Sequence, residues 1–202
     1  SMYFGGGTPS LLSADNVRDM ISAAKLSENA EITMECNPNS VTENSLSGYR
    51  NAGVNRISFG VQSLNDRELR TLGRLHSADE AINAIYAAKS AGFDNISADL
   101  MLAVPYQTEK TLSETLEALT SLPITHISAY MLKIEEGTPF DANGMRDIAP
   151  DDDISADMYL QTVKFLESRG FAQYEISNFS KKNMESRHNL HYWRCDEYYG
   201  FG

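Results

Sequence analysis

Cysteine is scarce in this chain. Only Cys36 and Cys195 occur among 202 residues. A disulfide framework is therefore excluded as the source of stability, and a reducing, cytoplasmic setting is the expectation. Long hydrophobic runs are missing too. No window approaches the roughly 20 apolar residues of a membrane span, and no secretory leader is visible. Positive charge is in deficit, with 17 Lys and Arg against 28 Asp and Glu and a formal net charge of -11. A general nucleic-acid binder would carry a basic face, so that class is set aside. What remains is ordinary globular composition, 42% hydrophobic and 22% charged, enough for one large domain or one with a small appendage. The opening Ser1-Met2 reads as a tagging remnant and the chain ends without the signs of a finished domain, so a piece of something longer is expected.

The chain is organised around its start. Tyr3-Phe4 feeds Gly5-Gly6-Gly7-Thr8-Pro9-Ser10. Three glycines let a ligand approach bare backbone, and their amides with the Thr8 hydroxyl form a cradle for a small polar or charged group. Thr8-Pro9-Ser10 reads as the cap of a helix from Leu11, with Leu12, Val17, Ile21 and Ala24 on its apolar face. The layout then recurs. Strands are predicted over 31–36, 56–62, 95–102 and 126–134, with a last candidate over 172–177. Helices are predicted over 42–53, 66–72, 77–90, 108–121 and 151–169. Thr42, the Ser77/Glu80 capping box and the acidic turn at Asp151-Asp152-Asp153 mark helix starts. Beyond 177 the pattern turns irregular. Five strand–helix alternations imply parallel strands with right-handed crossovers, either a doubly wound sheet or a barrel, and a complete or partial barrel is preferred.

Single polar residues stand at or near strand ends, where barrels place their working groups. Glu35 precedes Asn-Pro and can bind an ammonium or a hydroxyl pair, or cap loop amides. Gln62 closes an apolar run, and a buried amide needs partners because an unpaired one costs about 1–3 kcal/mol. Asp99 interrupts an apolar strand, where a lone carboxylate must be paired or bound to a ligand. An acid at a strand end suits ribose-diol recognition. Arg74 follows Gly73 on a loop, where its fork suits a carboxylate or simply faces solvent. These residues alone describe an α/β protein that binds a nucleoside-like ligand.

Several segments stand together in one order: Gly-Gly-Gly-Thr-Pro-Ser at 5–10, Glu-Cys-Asn-Pro at 35–38, Ile-Ser-Phe-Gly-Val-Gln-Ser at 57–63, Leu-Gly-Arg-Leu-His at 72–76 and Asp-Leu-Met-Leu at 99–102. The set resembles the radical S-adenosylmethionine proteins related to oxygen-independent coproporphyrinogen III oxidase. The resemblance implies a partial parallel (β/α) barrel over 1–170, here without its first strand. It implies that Gly6, Gly7 and Thr8 hold the methionyl amino group of S-adenosylmethionine and that Arg74 pairs its carboxylate. Gln62 and Asp99 take the ribose, with Glu35 near the amino-acid or ribose end.

Residues 171–202 read as the start of a C-terminal region. Within it His188, Asn189, Tyr192 and Trp193 form a His-Asn-x-x-Tyr-Trp element that resembles the haem-binding motif of the haem-chaperone (HemW) branch of this family. His188 can supply an axial imidazole and Tyr192 and Trp193 flat faces for a porphyrin, or the segment packs locally. Zinc on His188, His191 and Cys195 is a weaker reading, since a fourth ligand is missing. The resemblance implies a carrier that binds haem and hands it to respiratory apoproteins, or else an oxidase that decarboxylates coproporphyrinogen through a 5'-deoxyadenosyl radical; enzyme or carrier stays open. The family holds a [4Fe–4S] cluster on a three-cysteine loop, which this chain lacks. The chain itself is expected to be inactive, to bind cofactor weakly and to be open to self-association along an exposed barrel edge.

Overall fold

A computed structural model describes residues 1–201. Strand β1 (Met2–Phe4) leads through the glycine loop to α1 (Ala14–Ala23). Strand β2 (Ile32–Cys36) leads to α2 (Glu43–Ala52), and β3 (Arg56–Gln62) to α3 (Asp66–Thr71) and α4 (Ala78–Ser90). Strand β4 (Ile96–Leu102) precedes α5 (Glu109–Ser121), and β5 (His126–Met131) precedes α6 (Pro139–Ala142) and α7 (Asp152–Ser168). The chain then forms β6 (Ala172–Gln173), β7 (Asn178–Ser180) and α8 (Arg187–Trp193). One sheet runs in the order β1-β2-β3-β4-β5-β7-β6. Its first five strands are parallel neighbours in chain order, giving the partial (β/α) barrel expected.

Two predicted features change at the ends. The candidate strand over 172–177 is instead a hairpin: β6 and β7 pair antiparallel, and β7 adds antiparallel to β5. The turn forms because the Glu175 carboxylate accepts hydrogen bonds from the Ser177 amide and the Asn178 side chain, which bends the backbone inside the predicted strand. The irregular tail contains α8, capped by Ser186. β6 and β7 thus continue the main sheet, and Gly202 lies outside the described residues. At the front, Thr8 makes no side-chain cap; Pro9–Leu11 is one 3-10 turn, and Ser13 caps α1 by accepting from the Asn16 amide. Thr42 and Ser77 form capping boxes, and Asp151 caps α7, as their sequence signals predict.

Side chains alternate across the sheet, as a pleated strand requires. Met34, Ile57, Phe59, Ile96, Ala98, Leu100 and Ile127 pack against Leu46, Ile85, Leu112, Leu116 and Leu119 of the surrounding helices. Leu166 and Met158 of α7 complete this core. The opposite face is polar. Thr33, Arg56, Ser58, Ser97, His126 and Ser128 occupy the intervening positions and are buried as well. The sheet therefore has an oily outer layer and a polar lumen.

A buried carboxylate fixes the loops above that lumen. Glu68 of α3 accepts from Ser63 Oγ at 2.7 Å, Gln107 Nε2 at 3.0 Å and Thr111 Oγ1 at 2.7 Å. This ties the loop after β3 to the loop after β4 and to the first turn of α5. Glu68→Ala leaves buried donors facing one another without an acceptor, and each costs about 1–3 kcal/mol. The variant is expected to lose about 3 kcal/mol in urea unfolding. A loss below 1 kcal/mol would show the clamp to be dispensable.

Candidate functional site

Asp99 sits in the middle of β4, on the polar face. It accepts a hydrogen bond from Ser58 Oγ at 3.3 Å. Burial pushes its carboxyl up to about 6, resisted by Ser128, Arg56 and Ser58, while Glu35 pushes it further. Glu35, two strands away on β2, accepts from the Tyr3 hydroxyl at 2.7 Å. Two carboxylates therefore face one lumen, and the buried one is poised to exchange a proton near pH 6.

Arg74 is half-buried and is drawn inward rather than to solvent. Its Nη2 donates to Asn37 Oδ1 and to the Gly60 carbonyl, both at 2.9 Å. Desolvation lowers its pKa and the nearby Asp99 raises it. Gly60 is glycine because the space is taken: a Cβ there would lie 2.8 Å from Arg74 Nη2 and 3.1 Å from Gln62 Nε2. The β3–β4 register slips between Phe59 and Gln62. Gln62 itself adopts φ 66, the left-handed region that a non-glycine side chain adopts only under local constraint. The bulge and this backbone turn bring the Gln62 amide beside Arg74 instead of leaving it sealed in the strand.

The glycine loop joins the same rim. Gly6 and Gly7 have φ 73 and 56, with no atom close to where a Cβ would stand. Just past Thr8, Ser10 Oγ meets Ser40 Oγ at 2.6 Å, and Ser40 donates in turn to the Asn37 carbonyl at 2.7 Å. Asn37 then holds Arg74. Hydrogen bonds thus run from Ser10 through Ser40 and Asn37 to Arg74. Gln62 and Arg74 both border Gly60, and Asp99 is near enough to Arg74 and Glu35 for their charges to act on one another. The Thr8 side chain is part-exposed and makes no cap; no contact of its hydroxyl with the other site residues is recorded.

The His-Asn-x-x-Tyr-Trp residues lie apart from that rim, on α8. Glu31, just before β2, is buried and clasps the first turn of α8. Its Oε2 accepts from the Arg187 amide and its Oε1 from the His188 amide, both at 3.0 Å. Tyr174 adds a second tie: its hydroxyl accepts from the Ser186 amide at 3.3 Å and meets His126 Nε2 at 2.7 Å, with Asn189 beside it. The His188 ring stacks on Tyr3 and meets the edge of Tyr192 at 5.1 Å. Ser1 Oγ lies 3.1 Å from its Nδ1. Desolvation lowers the His188 pKa, against the pull of Glu31, so its imidazole is neutral at pH 7 with a lone pair to offer. Tyr192, 48% exposed, also packs against Tyr198, and Trp193, 60% exposed, follows it at the end of α8.

Metal chemistry finds no seat in the described residues. No group of three or more His, Cys, Asp and Glu could hold an ion. Zinc on His188, His191 and Cys195 is thereby overturned, and His191 Nδ1 instead pairs Asp196 at 2.6 Å. Cys36 is buried and Cys195 exposed, both free. A separate cleft of about 1110 Å³, between the ends of β4 and β5 and the start of α7, contains none of the predicted site residues. Sequence reasoning missed Tyr3, Glu31, Asn37, Arg56, Ser58 and Ser128. A signal for three of them existed: Arg56, Ser58 and Ser128 fall at alternate positions of their strands, the period of one face.

Comparison with known proteins gives an independent view. A family model described as the radical SAM superfamily matches residues 1–119. The radical S-adenosyl methionine domain-containing protein 1, mitochondrial, of Mus musculus is 40% identical over 100% of this chain and 47% of its own length. The heme chaperone HemW of Haemophilus influenzae is 39% identical over 100% of this chain and 53% of its own. That of Escherichia coli is 39% identical over 100% and 54%. The chain spans about half the length of these curated relatives. Among solved structures, the Escherichia coli coproporphyrinogen III oxidase (HemN), titled a radical SAM enzyme, aligns with a TM-score of 0.79 at 24% identity, over 91% of this chain and 43% of its own. That likeness is one of fold.

The raised Asp99 pKa makes a stability prediction. The folded state holds this proton more tightly than the unfolded chain, whose carboxyl titrates near 3.8. The Asp99 contribution is thus greatest below pH 3.8 and is lost as pH rises through about 6. The loss is at most on the order of 3 kcal/mol. Asp99→Asn is expected to be at least as stable as wild type at pH 7, with the gap between them closing as pH falls from 7 to 4. Parallel urea-unfolding curves for the two proteins across that range would count against the assignment.

Proposed function

The chain belongs to the radical SAM superfamily, and on that premise we propose that it binds haem as cargo and delivers it to respiratory apoproteins, with S-adenosylmethionine held in the rim above the lumen. Membership implies S-adenosylmethionine and a [4Fe–4S] cluster for the family. The rim residues suit the first. The Gly6 and Gly7 carbonyls, with the Thr8 hydroxyl oxygen, would accept from the methionyl ammonium. The Nη1 and Nε of Arg74, for which no partner is recorded among the described residues, would take its carboxylate. Gln62 and Asp99 would bind the ribose hydroxyls, and Glu35 would stand near the amino-acid end. The described residues do not suit a cluster, so no step through one is derived.

The haem reading is carried by one observation: His188 is a neutral, half-buried imidazole on a helix pinned at its backbone, against the part-exposed Tyr192 ring. Such an imidazole can bind iron without first losing a proton, while Tyr192 and Trp193 cover a porphyrin face. Relatives named heme chaperone HemW align over the whole of this chain. The coproporphyrinogen oxidase reading has likeness of fold in its favour and no comparable side-chain observation. A reducing compartment fits two free thiols, and no helix among the described residues is long and apolar enough to cross a membrane. The β1 edge of the sheet is the surface through which self-association would occur.

Haem titration tests the assignment. The wild type is expected to develop a Soret band, and His188→Ala to bind haem about tenfold more weakly or worse, a change of about 1.4 kcal/mol. Uptake unchanged by the substitution would remove the chaperone reading. The same titration has a pH signature. Because burial lowers the His188 pKa below its ordinary 6.5, half-protonation is reached only below that value. Haem affinity is therefore expected to fall to half of its pH 7.5 value only below pH 6.5. A loss by half already at pH 6.5 would mark a solvent-exposed histidine as the ligand.

A further inference from the structure

One ring touches three features that the sequence presents separately: the glycine loop, Glu35 and His188. The Tyr3 ring stacks on the His188 imidazole with centroids 4.6 Å apart and planes 21° from parallel. Its hydroxyl donates to Glu35 Oε1 at 2.7 Å. Its edge lies over Gly5, where a Cβ would come within 2.8 Å of Tyr3 Cε1 and 3.1 Å of Cδ1. The first glycine of the loop is thus small because Tyr3 fills its side-chain space.

These contacts leave the ring little freedom. A tyrosine side chain turns about two bonds. The bond to Glu35 sets its tilt and the Gly5 backbone blocks one direction of swing. His188 is anchored differently. Its amide is held by Glu31, just before β2, at 3.0 Å, whereas its ring rests on Tyr3 and the edge of Tyr192, with Ser1 Oγ 3.1 Å from Nδ1. The imidazole therefore follows Tyr3 while its backbone stays fixed.

We infer that Tyr3 is the joint through which a ligand at the glycine loop and Glu35 changes the affinity of His188 for haem. The inference rests on the assignments of both sites made under Proposed function. A ligand ammonium or hydroxyl that binds Glu35 either competes with the Tyr3 hydroxyl at Oε1 or, at Oε2, draws the same carboxylate away from it. Loss of that bond, or movement of the loop at Gly5, releases the ring from its stacked position. The imidazole is then held differently, and iron coordination, which needs a directed nitrogen lone pair, distinguishes the two arrangements. Linkage makes the effect reciprocal: haem alters the affinity for the nucleoside ligand by the same factor. Tyr3 acts here as a positioning residue and touches neither iron nor reacting atoms.

The test is the ratio of haem dissociation constants measured at the Soret band with and without saturating S-adenosylmethionine. The wild-type ratio is expected to depart from one by about fivefold or more. In Tyr3→Phe, which keeps the ring and loses the hydroxyl, the ratio is expected to return to near one. A wild-type ratio of one, or an equal shift in both proteins, overturns the joint. If the wild type takes up no haem, the haem assignment fails and the joint is judged by NMR of histidine-¹⁵N-labelled protein. The His188 ring resonance should then move on addition of S-adenosylmethionine in the wild type and not in Tyr3→Phe. A resonance unmoved in both, or moved equally in both, overturns it.

Discussion

A polar face shut away from bulk water governs this molecule. Parallel strands covered by helices normally read as continuous apolar runs, but here every second side chain turns into a lumen of hydroxyls, an imidazole, a guanidinium and carboxylates. Each must find a partner inside, since an unpaired buried group costs more than a hydrogen bond returns. The lumen largely manages this. Ser97 Oγ meets His126 Nδ1 at 2.8 Å and Tyr174 meets the other nitrogen, and burial holds that imidazole neutral. The exceptions are Thr33 Oγ1, Arg56 Nε, Gln107 Oε1, Glu175 Oε2, Asn178 Oδ1 and Ser180 Oγ, buried without a hydrogen-bond partner among the described residues.

The rim of the lumen draws on elements remote in sequence because the crossover rule brings them together. Right-handed βα units stack strands side by side with their C-terminal ends aligned, and the loops leaving those ends then share one opening. The Glu68 clamp and the Asn37–Arg74 contact turn this shared opening into a fixed arrangement. Gln62 holds a left-handed backbone at this opening, as do Ala103 and Tyr106 in the loop after β4 and, elsewhere, Asn183 and Cys195.

Much of this was legible in the chain. The alternation of elements, the caps at Thr42, Ser77 and Asp151, and the lone carboxylate at Asp99 each carry a local signal, and the fold follows from their sum. The glycines and Arg74 were legible through the order of motifs. Other features carried no local signal. The left-handed turn at Gln62 coincides with the slip in the β3–β4 register and stands next to the Gly60–Arg74 contact between a strand and a distant loop. The hairpin at β6–β7 depends on one carboxylate bending a segment whose composition still reads as strand. The helix at 187–193 is too short to stand on propensity alone, and its first-turn amides are satisfied by Glu31 from the far end of the chain. The polar period of the strands was there to be counted, but burial hid its meaning, because buried serines resemble solvent-facing ones until the sheet curls around them.

The clasp between Glu31 and His188 spans 157 positions. Closing so long a loop is entropically costly until the intervening sheet exists, and contacts of high sequence separation form late. A ribosome releases Glu31 early and His188 near the end of this stretch. For most of its synthesis the polypeptide therefore carries a seat with no occupant, and the imidazole acquires its final setting only once the barrel around it has closed.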